Sequence, residues 1–186
     1  MRLKDLIFLF TPILVTCQEA KDTEIWGPIP EEVYTISDSA PPTDAIILFD
    51  GSDLSKWKPR WGKDESEWKI NKDGSVTVVF DDTGGIETKE NFGSVQLHVE
   101  WKTSEDTSFT NQKRSNSGVF LQGRYEIQIL DSYKSPTYVN GQAGSVYKQY
   151  IPLVNASRKP GEWQSYDIIF EAPEFNSDGK KVKSGY

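Results

Sequence analysis

From Ser115 to Tyr133 the chain reads S-N-S-G-V-F-L-Q-G-R-Y-E-I-Q-I-L-D-S-Y, two alternating runs broken at Gly123. Alternation with a period of two belongs to strands, because successive side chains on a strand leave opposite faces. Arg124, Glu126 and Gln128 therefore project together, while Tyr125, Ile127 and Ile129 point the other way. A polar row backed by Tyr-Ile-Ile fits either the floor of a polar cleft or the solvated outer face of a two-layer sheet protein. Alternation alone does not choose between them.

The same grammar recurs along the chain. Ala45-Ile-Ile-Leu-Phe49 reads as a short apolar strand, and Glu67 to Asn71 as another. Lys72-Asp73-Gly74 then makes a hairpin turn into a return strand from Ser75 to Phe80. Thr83-Gly84-Gly85 is a further turn. Val95 to Lys102 puts Val95, Leu97, Val99 and Trp101 on one face, and Gln96, His98, Glu100 and Lys102 on the other. After a polar loop from Thr103 to Asn116, the two runs of the opening stretch follow. A Gly/Pro/Asn-rich loop spans Asp131 to Pro160, and Trp163 to Glu171 is a strand with Tyr166, Ile168 and Phe170 aligned. Short strands, frequent turns and almost no helical period predict an all-β fold, a jelly-roll β-sandwich over residues 44–186. Lys180 to Tyr186 starts another strand just before the chain stops. An unpaired edge is unfavourable, so the sandwich is expected to be truncated.

The first 43 residues differ in character. A basic start (Met1-Arg-Leu-Lys) and an apolar run from Leu6 to Val15 have the form of a signal peptide over residues 1–16, too short to span a bilayer. Leu14-Val-Thr-Cys17 resembles a bacterial lipobox, in which Cys17 is lipidated, although Thr16 departs from the usual Gly, Ala or Ser. The alternative is an ordinary secretory signal cleaved near Cys17. Either way the protein is expected to be exported, anchored in the bacterial cell envelope if lipidated. Residues 17–43 hold Pro28, Pro30, Pro41 and Pro42 without periodicity and read as a tether, with Trp26 and Tyr34 expected to pack on a surface. Cys17 is the single cysteine, which excludes an internal disulfide. A net charge of −7 argues against a nucleic-acid partner, since phosphate binding needs a basic face. Aromatic residues make up 12%, a load that suits an all-β core or a cleft that stacks sugar faces.

Four ordered motifs carry a resemblance to a known family: Leu48-Phe-Asp-Gly-Ser-Asp-Leu-Ser-Lys-Trp57, Asn116-Ser-Gly-Val-Phe-Leu121, Gly123 to Tyr133, and Leu153 to Phe170. The chain from about Glu24 onward resembles the 3-keto-disaccharide hydrolases, formerly a domain of unknown function. The resemblance implies a concanavalin A-like (lectin/glucanase) jelly roll and activity on glycosides oxidised at C3 of the sugar. A C3 ketone acidifies the C2 proton, so a base can remove it, the C1 substituent can leave, and water can add across the double bond. Such a site needs a base near C2, an acid at the leaving oxygen and a donor for the enolate oxygen.

Glu126 is the first candidate for the base, because desolvation on the polar face would raise its pKa; the bland alternative is a structural Glu paired with Arg124 or Lys102. His98 and Glu100 are the further catalytic candidates, expected to share a face with Glu126. His98 could be the acid or a metal ligand; the alternative is a merely exposed strand histidine. Arg114, Asn116, Arg124, Gln128, Asp131 and Lys148 are candidate substrate-binding residues. Glu126-Ile-Gln-Ile-Leu-Asp131 also resembles the E-I-D-x-x-E strand of laminarinase-type hydrolases. Gln128 cannot titrate, however, and alternation sends Asp131 away from Glu126 unless a bulge intervenes. Two-carboxylate hydrolysis therefore ranks below elimination. No cofactor is specified by sequence; Asp50, Asp53, Glu100, Asp131 and Asn155 could offer oxygens to a divalent cation such as calcium. The competing functions are a non-catalytic lectin-like module and a structural surface domain.

Overall fold

A computed structural model describes residues 23–37, 40–62, 65–79 and 84–186. It divides into two units, Met1–Ile47 and Leu48–Tyr186. The expected leader and Cys17 lie outside the described residues. In the first unit Thr35 bridges Pro42, and Thr43 donates its N–H to Tyr34 O at 3.0 Å. Within this unit Trp26 is buried by no neighbour, 86% of its surface being exposed. Residues 45–49 form no strand either. The chain turns there instead, Ala45 N–H reaching back to Pro42 O at 3.0 Å, and Ile46 stays exposed.

The described residues of the second unit form ten short strands: β1 (Trp57–Pro59), β2 (Lys69–Ile70), β3 (Val76–Thr77), β4 (Ile86–Thr88), β5 (Val95–Trp101), β6 (Ser117–Leu121), β7 (Tyr125–Ile129), β8 (Gln164–Phe170), β9 (Glu174–Phe175) and β10 (Lys181–Lys183). They pair antiparallel as β1–β4, β2–β3, β5–β8, β6–β7 and β9–β10. No α-helix occurs among the described residues; two single 3-10 turns cover Asn111–Lys113 and Val139–Gly141. The turn at Lys72–Gly74 is where its residue types place it, with Gly74 at φ +81°. Its flanking strands are shorter than the alternation suggested, β2 and β3 having two residues each, and Asp73 Oδ1 accepts the Ser75 N–H at 3.0 Å at the start of the return; Phe80 lies outside the described residues. The run from Lys180 onward does form a strand. β10 lies on β9, and Tyr186 exchanges two 3.0 Å hydrogen bonds with Glu171.

Two ladders matter for function. In β5–β8 the alternation sorts as expected: Val95, Leu97, Val99 and Trp101 are shielded, while Gln96, His98 and Glu100 are exposed. Its shielded face meets the apolar face of β6–β7. Phe170 packs against Tyr125 at 5.8 Å between ring centroids, and the Tyr166 hydroxyl donates to Gln128 O at 2.7 Å. Burial raises the pKa of that phenol. Among the described residues, Trp101, Leu121, Leu130 and Phe170 are the buried large apolar side chains. Leu130 is fully buried, and removing it from water contributes roughly 2 kcal/mol. With Tyr125, Ile127 and Ile129 committed to this core, the other face of β7 is left to Glu126 and Gln128.

Candidate active site

The β6–β7 hairpin sets the site. Arg124 N–H closes the turn onto Leu121 O at 3.1 Å, with Gln122 and Gly123 both at positive φ (51° and 63°), the hand that suits the twist of two antiparallel strands. The resulting register places Phe120 opposite Glu126 and Gly118 opposite Gln128. On the other side of β7, Tyr147 N–H donates to Glu126 O at 2.9 Å and Gln128 N–H to Ser145 O at 3.0 Å. The stretch Ser145–Tyr147 thus borders β7 as a third, irregular strand, bridged at Val146 to Ile127.

Glu126 is half-buried and lies against Gly118: a Cβ at 118 would come to 2.7 Å from its Cγ and 2.9 Å from its Cδ. Only glycine leaves room for the side chain in this position. Desolvation pushes the carboxyl above its ordinary value. Gln128, the next residue on the same face, is fully buried. Its side-chain amide lies between Asn116 Oδ1 (3.2 Å) and Gln112 Oε1 (3.3 Å) on one side and Glu126 Oε1 (3.1 Å) and Ser117 O (3.2 Å) on the other. Gln112 is anchored in turn, its NH2 donating to Thr137 Oγ1 and Gly141 O, both at 2.9 Å.

A phenol pair flanks the carboxylate. The Tyr138 and Tyr147 hydroxyls are 2.6 Å apart, and Lys148 Nζ lies over both rings, 5.9 and 5.4 Å from their centroids. The Tyr147 hydrogen bond, with desolvation and the Tyr147 and Glu126 charges, pushes Tyr138 up to about 12. Toward β6, the Arg60 guanidinium stacks over Phe120 at 5.3 Å and over Trp61 at 5.0 Å. Both rings keep about half of their surface in solvent. The floor is therefore a carboxylate and a row of amides, edged by aromatic rings and two cations.

The structure brings Glu126, Gln128 and Asn116 together, and sets Lys148 over the Tyr138 and Tyr147 rings. It does not bring His98 or Glu100 to them. β5 pairs with β8, and its shielded face is the one turned to β7, so His98 and Glu100 point to the opposite side. There His98 Nδ1 meets Asp167 Oδ1 at 2.7 Å, both side chains largely exposed. Asp131 is not offered to the cleft either. Its side chain is buried and held by Arg114 through Nε (2.9 Å) and Nη2, while Tyr133 N–H takes its other oxygen at 3.1 Å. This pair ties the chain before β6 to the chain after β7, which occupies Arg114 as well. Arg124 sits in the hairpin turn with its side chain exposed. Sequence reasoning missed Arg60, Trp61, Gln112, Phe120, Tyr138 and Tyr147. Phe120 had a signal, since the Gln122-Gly123 turn and period-two alternation put it on the Glu126 face; the others come from loops. Among the described residues, no three His, Cys, Asp or Glu side chains converge as a metal site. Asp50 and Asp53 instead cap turns at Ser52 (2.9 Å) and Ser55 (2.8 Å).

Residues 44–184 match the model of the 3-keto-alpha-glucoside-1,2-lyase-like domain. The chain belongs to that family. It is also 46% identical to a solved structure from Parabacteroides distasonis ATCC 8503, described as a "putative glycosyl hydrolase", with a TM-score of 0.80 over 90% of this chain and 72% of the other. A second structure from the same organism, under the same description, is 21% identical with a TM-score of 0.50, covering 76% and 71%. It bears on the fold alone. Among curated proteins none matches.

Proposed function

We propose that the chain is a glycoside-cleaving enzyme acting on 3-keto-glucosides by elimination across C1 and C2 followed by hydration, with Glu126 as the base. The observation that carries this reading is a desolvated carboxylate held over Gly118 on a floor otherwise made of neutral amides. A general base gains from a pKa near the working pH, and burial moves Glu126 in that direction. In the first step Glu126 takes the proton from C2, the C1–O bond breaks, a C1=C2 double bond forms, and the aglycone oxygen picks up a proton. In the second, water adds across that bond and releases the 3-keto sugar. Lys148 and the Tyr138–Tyr147 pair are the groups available to protonate the leaving oxygen. The rim cation Arg60 and the exposed amide of Asn116 are suited to the ketone and hydroxyl oxygens. The chemistry asks for one carboxylate and oxygen-directed donors, which this floor offers, rather than the carboxylate pair of ordinary glycosidases. Incubation with a 3-keto-disaccharide such as 3-keto-trehalose tests it: cleavage by the wild type and none by Glu126→Gln is expected, and equal behaviour of the two would sink the assignment.

A second reading, carbohydrate binding without turnover in a concanavalin A-like jelly roll, is favoured by the exposed rings of Trp61 and Phe120. It predicts glycan binding that survives Glu126→Gln and is lost with Trp61→Ala. We also propose export, with Cys17 lipidated in the cell envelope, because of the Leu14–Cys17 motif behind an apolar run. Incorporation of labelled palmitate that persists in Cys17→Ser would overturn it.

A further inference from the structure

The Tyr138–Tyr147 pair holds one proton more than its hydrogen bond uses. Two phenols carry two hydroxyl protons, and the 2.6 Å contact between their oxygens takes one of them. Whichever oxygen donates, the other keeps an O–H free to point away from the pair. The backbone sets where that proton stands. Val146 bridges Ile127 and so shares the core-facing side of β7. Tyr147, the next residue, falls on the Glu126 side, its N–H donating to Glu126 O at 2.9 Å. Glu126 is thus flanked by Phe120 on β6 and by Tyr147 on its other edge. Tyr138 is brought up by the turn at Val139–Gly141, with its ring against the Gly141 backbone; a Cβ at 141 would come to 2.7 Å from Cδ2 and 2.8 Å from Cζ. The Lys148 N–H pins this turn, donating to Asn140 O at 2.7 Å, and Lys148 takes φ +58° to do so, a left-handed conformation that costs a lysine energy. Its Nζ lies over both phenol rings and forms no ion pair among the described residues.

We propose that the Tyr138–Tyr147 pair, rather than Lys148, is the general acid that protonates the leaving aglycone oxygen; this rests on the elimination reading above. As Glu126 takes the C2 proton, the C1–O bond breaks with its electron pair on the aglycone oxygen. The free phenol O–H gives that oxygen its proton. The phenolate left behind keeps the hydrogen bond from its partner, which is now charge-assisted and stronger. Lys148 adds to this, because an ammonium over an aromatic face is attracted more strongly as the ring gains electron density. Proton loss from Lys148 itself would forfeit that attraction to both rings. A phenol also suits the task chemically, since an alkoxide is a stronger base than a phenolate and the transfer runs downhill. Tyr138, pushed up to about 12 chiefly by the Tyr147 hydrogen bond, keeps its proton at neutral pH. Hydration then restores the pair. Water adds its oxygen to C1 and gives a proton to the phenolate, while C2 takes a proton from the Glu126 carboxyl after exchange with solvent.

The need for an acid depends on the leaving group, and the test uses that. Full-length protein is assayed on two substrates that share one sugar. Methyl 3-keto-glucoside has an alkoxide that must be protonated to leave; 4-nitrophenyl 3-keto-glucoside has a phenolate that leaves without help. The double variant Tyr138→Phe, Tyr147→Phe is expected to lose about 100-fold or more in kcat/KM on the methyl glycoside and less than about tenfold on the nitrophenyl one. Should the double variant lose its fold by circular dichroism, Tyr147→Phe and Tyr138→Phe taken singly are expected to show the same split at smaller size. Lys148→Met is expected to lose less on the methyl glycoside than the phenol variants do. Equal losses on both glycosides in folded phenol variants overturn the assignment, as does a full split in Lys148→Met that the phenol variants lack. A wild type inactive on both glycosides overturns the elimination reading, and this assignment with it.

Discussion

Gly118 and Glu126 interlock across the β6–β7 ladder, with the Glu126 side chain filling the space that a Cβ at 118 would need. Gly118→Ala is therefore expected to push the carboxylate off its position. Misplacement of a reacting group by about 1 Å can lower turnover on the order of 100-fold. The expected result is a fall of that size in kcat/KM, with the β6–β7 amide hydrogen exchange little changed. An alanine variant with full activity would mean that Glu126 needs no such seat.

The pH dependence has a fixed sign. Burial raises the Glu126 carboxyl from its ordinary 4.5, and a base works only when ionised. Activity is thus expected to fall as pH drops through that raised value, at a higher pH than an exposed glutamate would give. Stability moves the opposite way. The folded state holds this proton more tightly than the unfolded chain, so the raised pKa weakens the fold as pH climbs from 4.5 through the folded value. Glu126→Gln is expected to remove that decline, which urea unfolding across the same pH range reads directly.

Arg114 and Asp131 form an ion pair whose side chains are 14% and 1% exposed. Arg114→Met leaves Asp131 as an uncompensated buried charge, and the expected loss is about 3–5 kcal/mol. Asp131→Asn in the same background is expected to recover part of it. If Arg114 instead served mainly to bind substrate, the variant would keep its unfolding midpoint and raise KM.

His98 and Asp167 pair on the far side of the β5–β8 ladder. His98→Ala and Glu100→Ala are expected to leave kcat/KM as it is in the wild type. A large loss with either would show that the face opposite Glu126 takes part in the chemistry.

Arg60 is held by stacking against Phe120 and Trp61. Its loss in Arg60→Gln removes a charge-assisted donor beside the floor, a change of roughly 10- to 100-fold in kcat/KM. Separate determination of kcat and KM shows whether Arg60 serves binding or the transition state. No change in either would exclude it from the site.

What the sequence made legible was local. Period-two alternation located β5, β6, β7 and β8 and sorted their faces, because a strand's pattern and its burial share one period. Lys72–Gly74 and Gly123 marked turns, because each needs φ values that few residues take. Partner choice was not legible. Nothing in Val95 to Trp101 says that β8 is its neighbour, so the side to which His98 points emerged only from the pairing and from Tyr125 meeting Phe170. Asp131 looked like a cleft ligand because Arg114, 17 residues earlier, gives no hint in sequence that it will occupy it. Tyr138 and Tyr147 lie in a loop without periodicity, and their approach to Glu126 is a product of the tertiary fold.

The central claim is that Glu126 removes the C2 proton of a 3-keto-glucoside. Cleavage of a 3-keto-disaccharide in D2O, followed by NMR at short times, reads this step. Elimination and hydration place solvent deuterium at C2 of the released 3-keto sugar in each turnover, and Glu126→Gln neither cleaves nor exchanges beyond the enzyme-free rate. Cleavage by the wild type with the C2 hydrogen retained would contradict the account.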